Sequence, residues 1–423
     1  MASGILRVVG NRVVDNNGHE VILRGAATGG WMNMENFITC YPAHESQHQA
    51  AMLKVLGPEK YGDDMNPRVL KDGGFKHLDR VVELCAKQNI YPILDMHITP
   101  GGENPNWHFD NPTNYAAFWE YKDHQGQTVW LWEQIAARYM SNPWIAGYNP
   151  LNELCDPEHV RLPAFHERVE NVIRAVDPDH ILWLGRNTFA MEWRGFDRVL
   201  PKCVYAMHDY VSMGFPTGLC YQGTREQKSY LEHHFLRKAE FMNKNHTLWN
   251  SEFRPVYTKK LSPTDTEAAS INQEHYNLLG EQLRIYDKYK IHWSTWLHKD
   301  ISLQGMIHTN PDSPWNKLIQ PFLDNKRALM LDHWGRDSDT AVDAVGVLKP
   351  LVEWIDRVSP SVKETYPTPW NTERHCSEGS FRHFWRHHEK ALEQLARSFA
   401  FEECVQREGL NEILRVHASV RGD

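Results

Sequence analysis

The 423-residue chain has no run of about 18 uncharged apolar residues, so nothing in it reads as a membrane-spanning helix. Residues 1–11 have no charged segment leading into an apolar stretch and a cleavage site, which sets the expectation of an unsecreted, cytoplasmic protein. Positive charge is not in excess: 46 Lys and Arg stand against 54 Asp and Glu, a formal net charge of -8. No Lys/Arg run interleaves with aromatics, which excludes nucleic acid as an expected partner. Cysteine is sparse. The seven (Cys40, Cys85, Cys155, Cys203, Cys220, Cys376 and Cys404) are scattered without a CxxC pair, which argues for reduced thiols over a disulfide frame or a zinc site. His383 and His387 are spaced i, i+4, but no HExxH glutamate accompanies them, and Gly101-Gly102 has no following Lys-Ser/Thr to cradle a phosphate. Neither a metal nor a cofactor is expected.

What the chain does have is tryptophan, 16 in all, and a repeated alternation of β-prone and helical segments. Tryptophan is core material first, although its flat apolar faces also stack on the C–H faces of sugar rings. The arms Gly4–Asp15 and Glu20–Gly25, around the turn signal Asn16-Asn17-Gly18, read as a hairpin whose second arm is the first core strand. Helical patterns follow at His44–Leu56 and, through Phe75, Leu78, Val82 and Cys85, in a segment closing at Asn89. Strands are expected at Tyr91–His97, from Trp144, and at Ile181–Gly185, Cys203–His208, Leu248–Glu252 and Ile291–Trp296. Helices separate them, and a last one fits Ala344–Val358. This alternation predicts parallel strands wrapped by helices, an α/β chain of the (β/α)₈ type. The strands end near residues 25, 97, 152, 185, 208, 252 and 296, one fewer than a closed barrel needs, and the turn-like segment Leu56–Arg68 cannot supply the eighth. A gap is expected between the strand ending near Gly25 and the one ending near His97. Residues 1–360 are taken as this domain, incomplete near 56–64, and residues 361–423 as a helical C-terminal extension.

Two stretches carry the chemistry. Trp144–Pro157 and Leu248–Tyr257 are each a short apolar run that stops at a carboxylate, Glu153 in one and Glu252 in the other. The C-terminal ends of parallel strands open on one face, where two glutamates can sit about 5–5.5 Å apart as the nucleophile and acid/base of a retaining glycosidase. Asn152 can orient the acid and bind a sugar hydroxyl. Tyr210 can donate to Glu252, which should stay ionised, and His208, two residues earlier, shares the side of its strand.

Leu151-Asn152-Glu153, His208-Asp209-Tyr210, Trp249-Asn250-Ser251-Glu252-Phe253 and Ser294-Thr295-Trp296, in this order, resemble glycoside hydrolase family 5. The likeness extends to Trp370–His375 and Gln406–Leu414, and is greatest to the intracellular β-glucosidase and glucosylceramidase-like branch, through the first-strand signature at Gly29–Asn36. The resemblance implies a TIM barrel, a retaining β-glycosidase acting on a β-glucoside or glucan-type substrate with Glu153 as acid/base and Glu252 as nucleophile, and a glycone subsite lined by His97, Asn152, His208, Tyr210 and Trp296. Trp31 and Trp107 are further candidates for substrate contact. Leu154, Ser251 and Arg254 depart from the family pattern, and Arg254 is placed to crowd or over-stabilise Glu252. The family's first barrel helix and second strand, which carry an arginine supporting the nucleophile, have no counterpart between Leu56 and Asp64. The chain therefore reads as a shortened form with weak or absent turnover, and a carbohydrate-binding pseudoenzyme is the alternative.

Overall fold

The structure, a computed structural model, describes residues 4–31, 33, 35–39, 45, 48, 70, 72–105, 111, 115–196, 198–215, 218–240, 247–258, 266–320 and 389–419. Seven parallel strands form its central sheet: β3 (Arg24–Ala26), β4 (Ile93–Asp95), β5 (Gly147–Asn149), β6 (Ile181–Leu184), β7 (Cys203–His208), β8 (Leu248–Glu252) and β9 (His292–Thr295), in the order β3-β9-β8-β7-β6-β5-β4. Strands adjacent in sequence pair from β4 through β9, and β9 returns to β3, which is the order of a (β/α)₈ barrel. Among the described residues β3 and β4 are not paired to each other, so the sheet ends where the sequence leads one to expect a gap. Burial falls off at these two ends. β5 to β8 are buried throughout, as parallel strands covered on both faces must be, whereas Gly25, Ala26 and Asp95 are exposed. The segment Leu56–Asp64 lies outside the described residues, as do the expected helix at Ala344–Val358 and most of His44–Leu56.

The helices form where apolar residues recur at helical spacing. Arg161–Val176 buries Leu162, Phe165, Val169 and Ile173 on one face, and Thr266–Lys288 buries Leu278, Leu279, Leu283 and Tyr286. Arg225–Lys238 starts in a full capping box between Thr224 and Gln227. Asp72–Lys87 ends just before Asn89, whose φ of 57° stops the helix in the left-handed region.

The N-terminal hairpin turns elsewhere than expected. β1 (Arg7–Val9) pairs with β2 (Arg12–Val14) across Gly10, at φ 62°, while Asn16–Gly18 joins β2 to a single bridge, Val14 with Glu20. The reason is local: Asp15 Oδ1 accepts from the backbone N–H groups of Asn17 and His19, so this turn is closed by a side chain instead of a ladder.

The C-terminal extension is not purely helical. Between its helices Glu389–Arg397 and Glu408–Ala418 lies β12 (Cys404–Gln406), which pairs antiparallel with β11 (Ile307–Thr309), itself parallel to β10 (Lys299–Asp300). Arg407 locks this small sheet, donating to the carbonyls of Gly305 and Ser302 and stacking over the Tyr257 ring at 4.5 Å.

Candidate active site

The C-terminal ends of the strands bring together most of the expected side chains. His97 follows β4, Asn152 and Glu153 follow β5, His208 closes β7 with Tyr210 two residues on, Glu252 closes β8 and Trp296 follows β9. The register shifts between Met207 and His208, which sets His208 opposite Glu252. Alternation then turns Asp209 away from its neighbours: Lys238 and Tyr286 hold its carboxylate at 3.1 and 2.7 Å.

The two glutamates are buried and close. His208 Nδ1 lies 2.6 Å from Glu153 Oε1 and 3.6 Å from Glu252 Oε2, and a carboxylate oxygen from each glutamate lies within 4.8 Å of the other and of the imidazole. Tyr210 Oη donates to Glu252 Oε2 at 3.1 Å, and Asn152 Nδ2 donates to Glu252 Oε1 at 3.4 Å. Trp296 and His97 stack at 4.9 Å with only 6° between their planes, an apolar platform beside the carboxylates. Gly29 lets the indole take that place, because a Cβ there would meet its ring carbons at 2.6 Å. Trp31 stands five residues beyond β3 and is 37% exposed; Trp107 lies outside the described residues.

Sequence reasoning passed over one member of the cluster. Glu35, quoted only within the first-strand signature, is buried with its Oε1 3.0 Å from His97 Nε2, and Asn33 donates to it at 3.1 Å. Asp95 holds the other ring nitrogen of His97 at 2.9 Å. Burial opposes charge on His97, but these two carboxylates outweigh it and hold its pKa well above the ordinary histidine value. His208 behaves in the same way, pulled down by burial and raised further by Glu252 and Glu153. Burial works against the expected ionised state of Glu252. Burial pushes its pKa up to about 7, and the lowering by His208 and His97 is offset by Glu153 and Glu35. Nor does Arg254 crowd it. That guanidinium donates to Thr295 Oγ1 at 2.8 Å and to the Leu297 carbonyl at 3.2 Å.

Glu153, His208 and Glu252 form a donor set that a divalent ion could bridge.

Beneath the site lies a second buried acid that the sequence did not single out. Glu103 is fully buried; its Oε2 accepts from the N–H and Oγ1 of Thr99 at 2.9 and 2.7 Å, while Oε1 has no partner among the described residues. Burial raises its pKa to about 7 against the lowering by Thr99. Because the folded pKa exceeds the unfolded one, the folded state binds more protons between about pH 4.5 and 7, and the contribution of this group to stability falls as pH rises through that window. Glu103→Gln, which stays neutral, should therefore gain on the wild type as pH rises, by as much as about 3 kcal/mol at pH 8 and by little at pH 5. Urea unfolding at the two pH values measures the difference, and a difference independent of pH would contradict the assignment.

Glu153 itself has a left-handed backbone, φ 38°, which costs a residue with a Cβ of order 1–3 kcal/mol and persists only where the surroundings fix it. Glu103 and Asn104 hold the backbone that follows it. Asn104 Nδ2 donates to the Glu153 carbonyl at 2.7 Å, and the Cys155 N–H donates to the Glu103 carbonyl at 3.1 Å.

Comparisons with known proteins agree with this fold. Residues 14–302 match the model of the cellulase family, glycosyl hydrolase family 5. A β-xylosidase of Phanerodontia chrysosporium is 42% identical, with 98% of each chain covered. That alignment runs over 472 positions, more than the 423 residues present here, so the relative carries residues with no counterpart in this chain. Endoglucanase C of Acetivibrio thermocellus is 29% identical over 39% of this chain and 50% of its own. A solved glycoside hydrolase superposes with a TM-score of 0.50 at 17% identity, over 68% of this chain and 91% of that one, which is a likeness of fold. Among the described residues no helix is long and apolar enough to cross a membrane. With a family model spanning the strand ends that carry both glutamates, and a relative matched over nearly its whole length, the chain belongs to glycosyl hydrolase family 5 and is a glycosidase.

Proposed function

We propose that the chain is a retaining β-glycosidase in which Glu252 is the nucleophile and Glu153 the acid/base. The observation that carries this reading is the approach of the two carboxylates to within 4.8 Å. That leaves no room for the water that inverting enzymes place between carboxyls about 6.5–9.5 Å apart. In the first step a Glu252 oxygen attacks the anomeric carbon, the bond to the aglycone oxygen breaks, and Glu153 passes its proton to that oxygen. In the second, Glu153 takes a proton from water, which attacks the same carbon and frees Glu252. Tyr210 and Asn152 donate to Glu252 and favour its charged form, and His208 lies against Glu153. Trp296 and His97 offer a platform for the sugar ring, and Glu35 offers a buried acceptor for its hydroxyls.

The substrate is a β-glycoside with a small or apolar aglycone, a glucoside or, by likeness to the β-xylosidase, a xyloside. These sugars differ only in the hydroxymethyl group at C5. A panel of aryl β-glucosides and β-xylosides, followed by a 2-deoxy-2-fluoro glycoside of the better sugar, tests the reading. The expected result is turnover on one of the two and a covalent adduct located by mass spectrometry on Glu252. An adduct elsewhere, or loss of activity on chelation with no adduct, would overturn it.

A further inference from the structure

We propose that Asn104 is a positioning residue for Glu153, an inference that rests on the acid/base reading of that glutamate. A left-handed residue with a Cβ sits at an unfavourable backbone angle, and its carboxyl stays on target only while the peptides that follow it are held. The peptide joining Glu103 to Asn104 does this from one wall. Asn104 is fully buried and its carboxamide donates to the Glu153 carbonyl at 2.7 Å. The Glu103 carbonyl accepts from the Cys155 N–H at 3.1 Å and from Trp119 Nε1 at 2.8 Å. The two peptides that follow Glu153 are thus tied to one dipeptide.

That dipeptide is itself fixed. Glu103 is anchored on Thr99, and Asn111 Nδ2 donates to the carbonyls of Asn104 and Tyr115 at 3.0 and 2.9 Å. Gly102, at φ 69°, lets Asn111 approach, because a Cβ there would lie 2.6 Å from its Nδ2. If the Glu153 carbonyl lost its donor, the backbone would relax toward negative φ. The Cα–Cβ bond would swing, and the carboxyl would leave its 2.6 Å contact with His208. Asn104 acts through Glu153, so its loss should mimic loss of the acid and spare the nucleophile.

Asn104→Ala in the full chain, assayed on phenyl and 2,4-dinitrophenyl β-glycosides, separates these effects. The expected kcat/KM falls about 10- to 100-fold on the phenyl glycoside, which needs its leaving oxygen protonated, and less than about threefold on the dinitrophenyl glycoside, which does not. The rate at which Glu252 is trapped by a 2,4-dinitrophenyl 2-deoxy-2-fluoro glycoside should stay within about threefold of wild type, a readout that a misfolded variant would not give. Asn104→Ser, a milder change, should show the same pattern at smaller size. Equal losses on both substrates in both variants, or no loss on the phenyl glycoside, would overturn the positioning role. Glu153→Gln run alongside keeps the two claims apart. If it shows the leaving-group dependence and the Asn104 variants do not, only the positioning falls. If Glu153→Gln lacks it, or the wild type neither turns over nor traps, the acid/base reading falls and takes the proposal with it.

Discussion

Glu252→Ala is expected to lower kcat on an activated aryl β-glycoside by about 10⁴- to 10⁶-fold, the range found when a nucleophile that works in concert with its neighbours is removed. The substitution leaves a small vacancy beside Tyr210 Oη and Asn152 Nδ2, both of which donate to the carboxylate now present. An azide ion fits the space and the donors. Adding azide should restore part of the rate and give the α-glycosyl azide, since attack then comes from the face Glu252 occupied and nothing follows to invert the centre again. Product configuration by NMR checks it. A variant keeping more than about a hundredth of the wild-type rate would place the nucleophile elsewhere.

The pH profile should be displaced. An ordinary glutamate nucleophile is ionised by pH 5, but burial and the neighbouring Glu153 and Glu35 carry Glu252 to about 7 against the pull of His208 and His97. Attack needs the carboxylate, so kcat/KM should fall tenfold for each unit below pH 7 and be about 100-fold under its plateau at pH 5. Tyr210 donates to the ionised form, so Tyr210→Phe should push the limb higher still, by about one unit for a charge-assisted hydrogen bond. A limb near pH 4.5 in wild type, or a shift downward in the variant, would show that Glu252 is ionised by a cation other than the two histidines. The physical origin of the raised value is the charge balance of the described cluster, in which the cationic partners near Glu252 are imidazoles and their charge answers three carboxylates.

The open edge bears on the same point. Among the described residues β3 and β4 are not paired to each other and keep exposed positions at the ends of an otherwise buried sheet.

The sequence by itself determined the strand and helix order, because each parallel strand is a short apolar run and each helix an amphipathic stripe, patterns complete within a few residues. It also pointed to Glu153 and Glu252, with Asn152, His208 and Tyr210 beside them, since a carboxylate that abruptly ends a buried strand points to the face every parallel strand shares, while His97 and Trp296 were expected only through the family resemblance. What only the tertiary structure decided lies between segments far apart in the chain. Glu35 meets His97 across the strand ends, Asn104 braces a glutamate 49 residues later, and the N-terminal hairpin turns at Gly10 because Asp15 closes the other candidate turn on itself. The protonation of Glu252 is of the same kind. It is the sum of burial and four charged neighbours drawn from four other segments, and no local pattern contains that sum, because burial and Coulomb energy depend on distance through space and not along the chain.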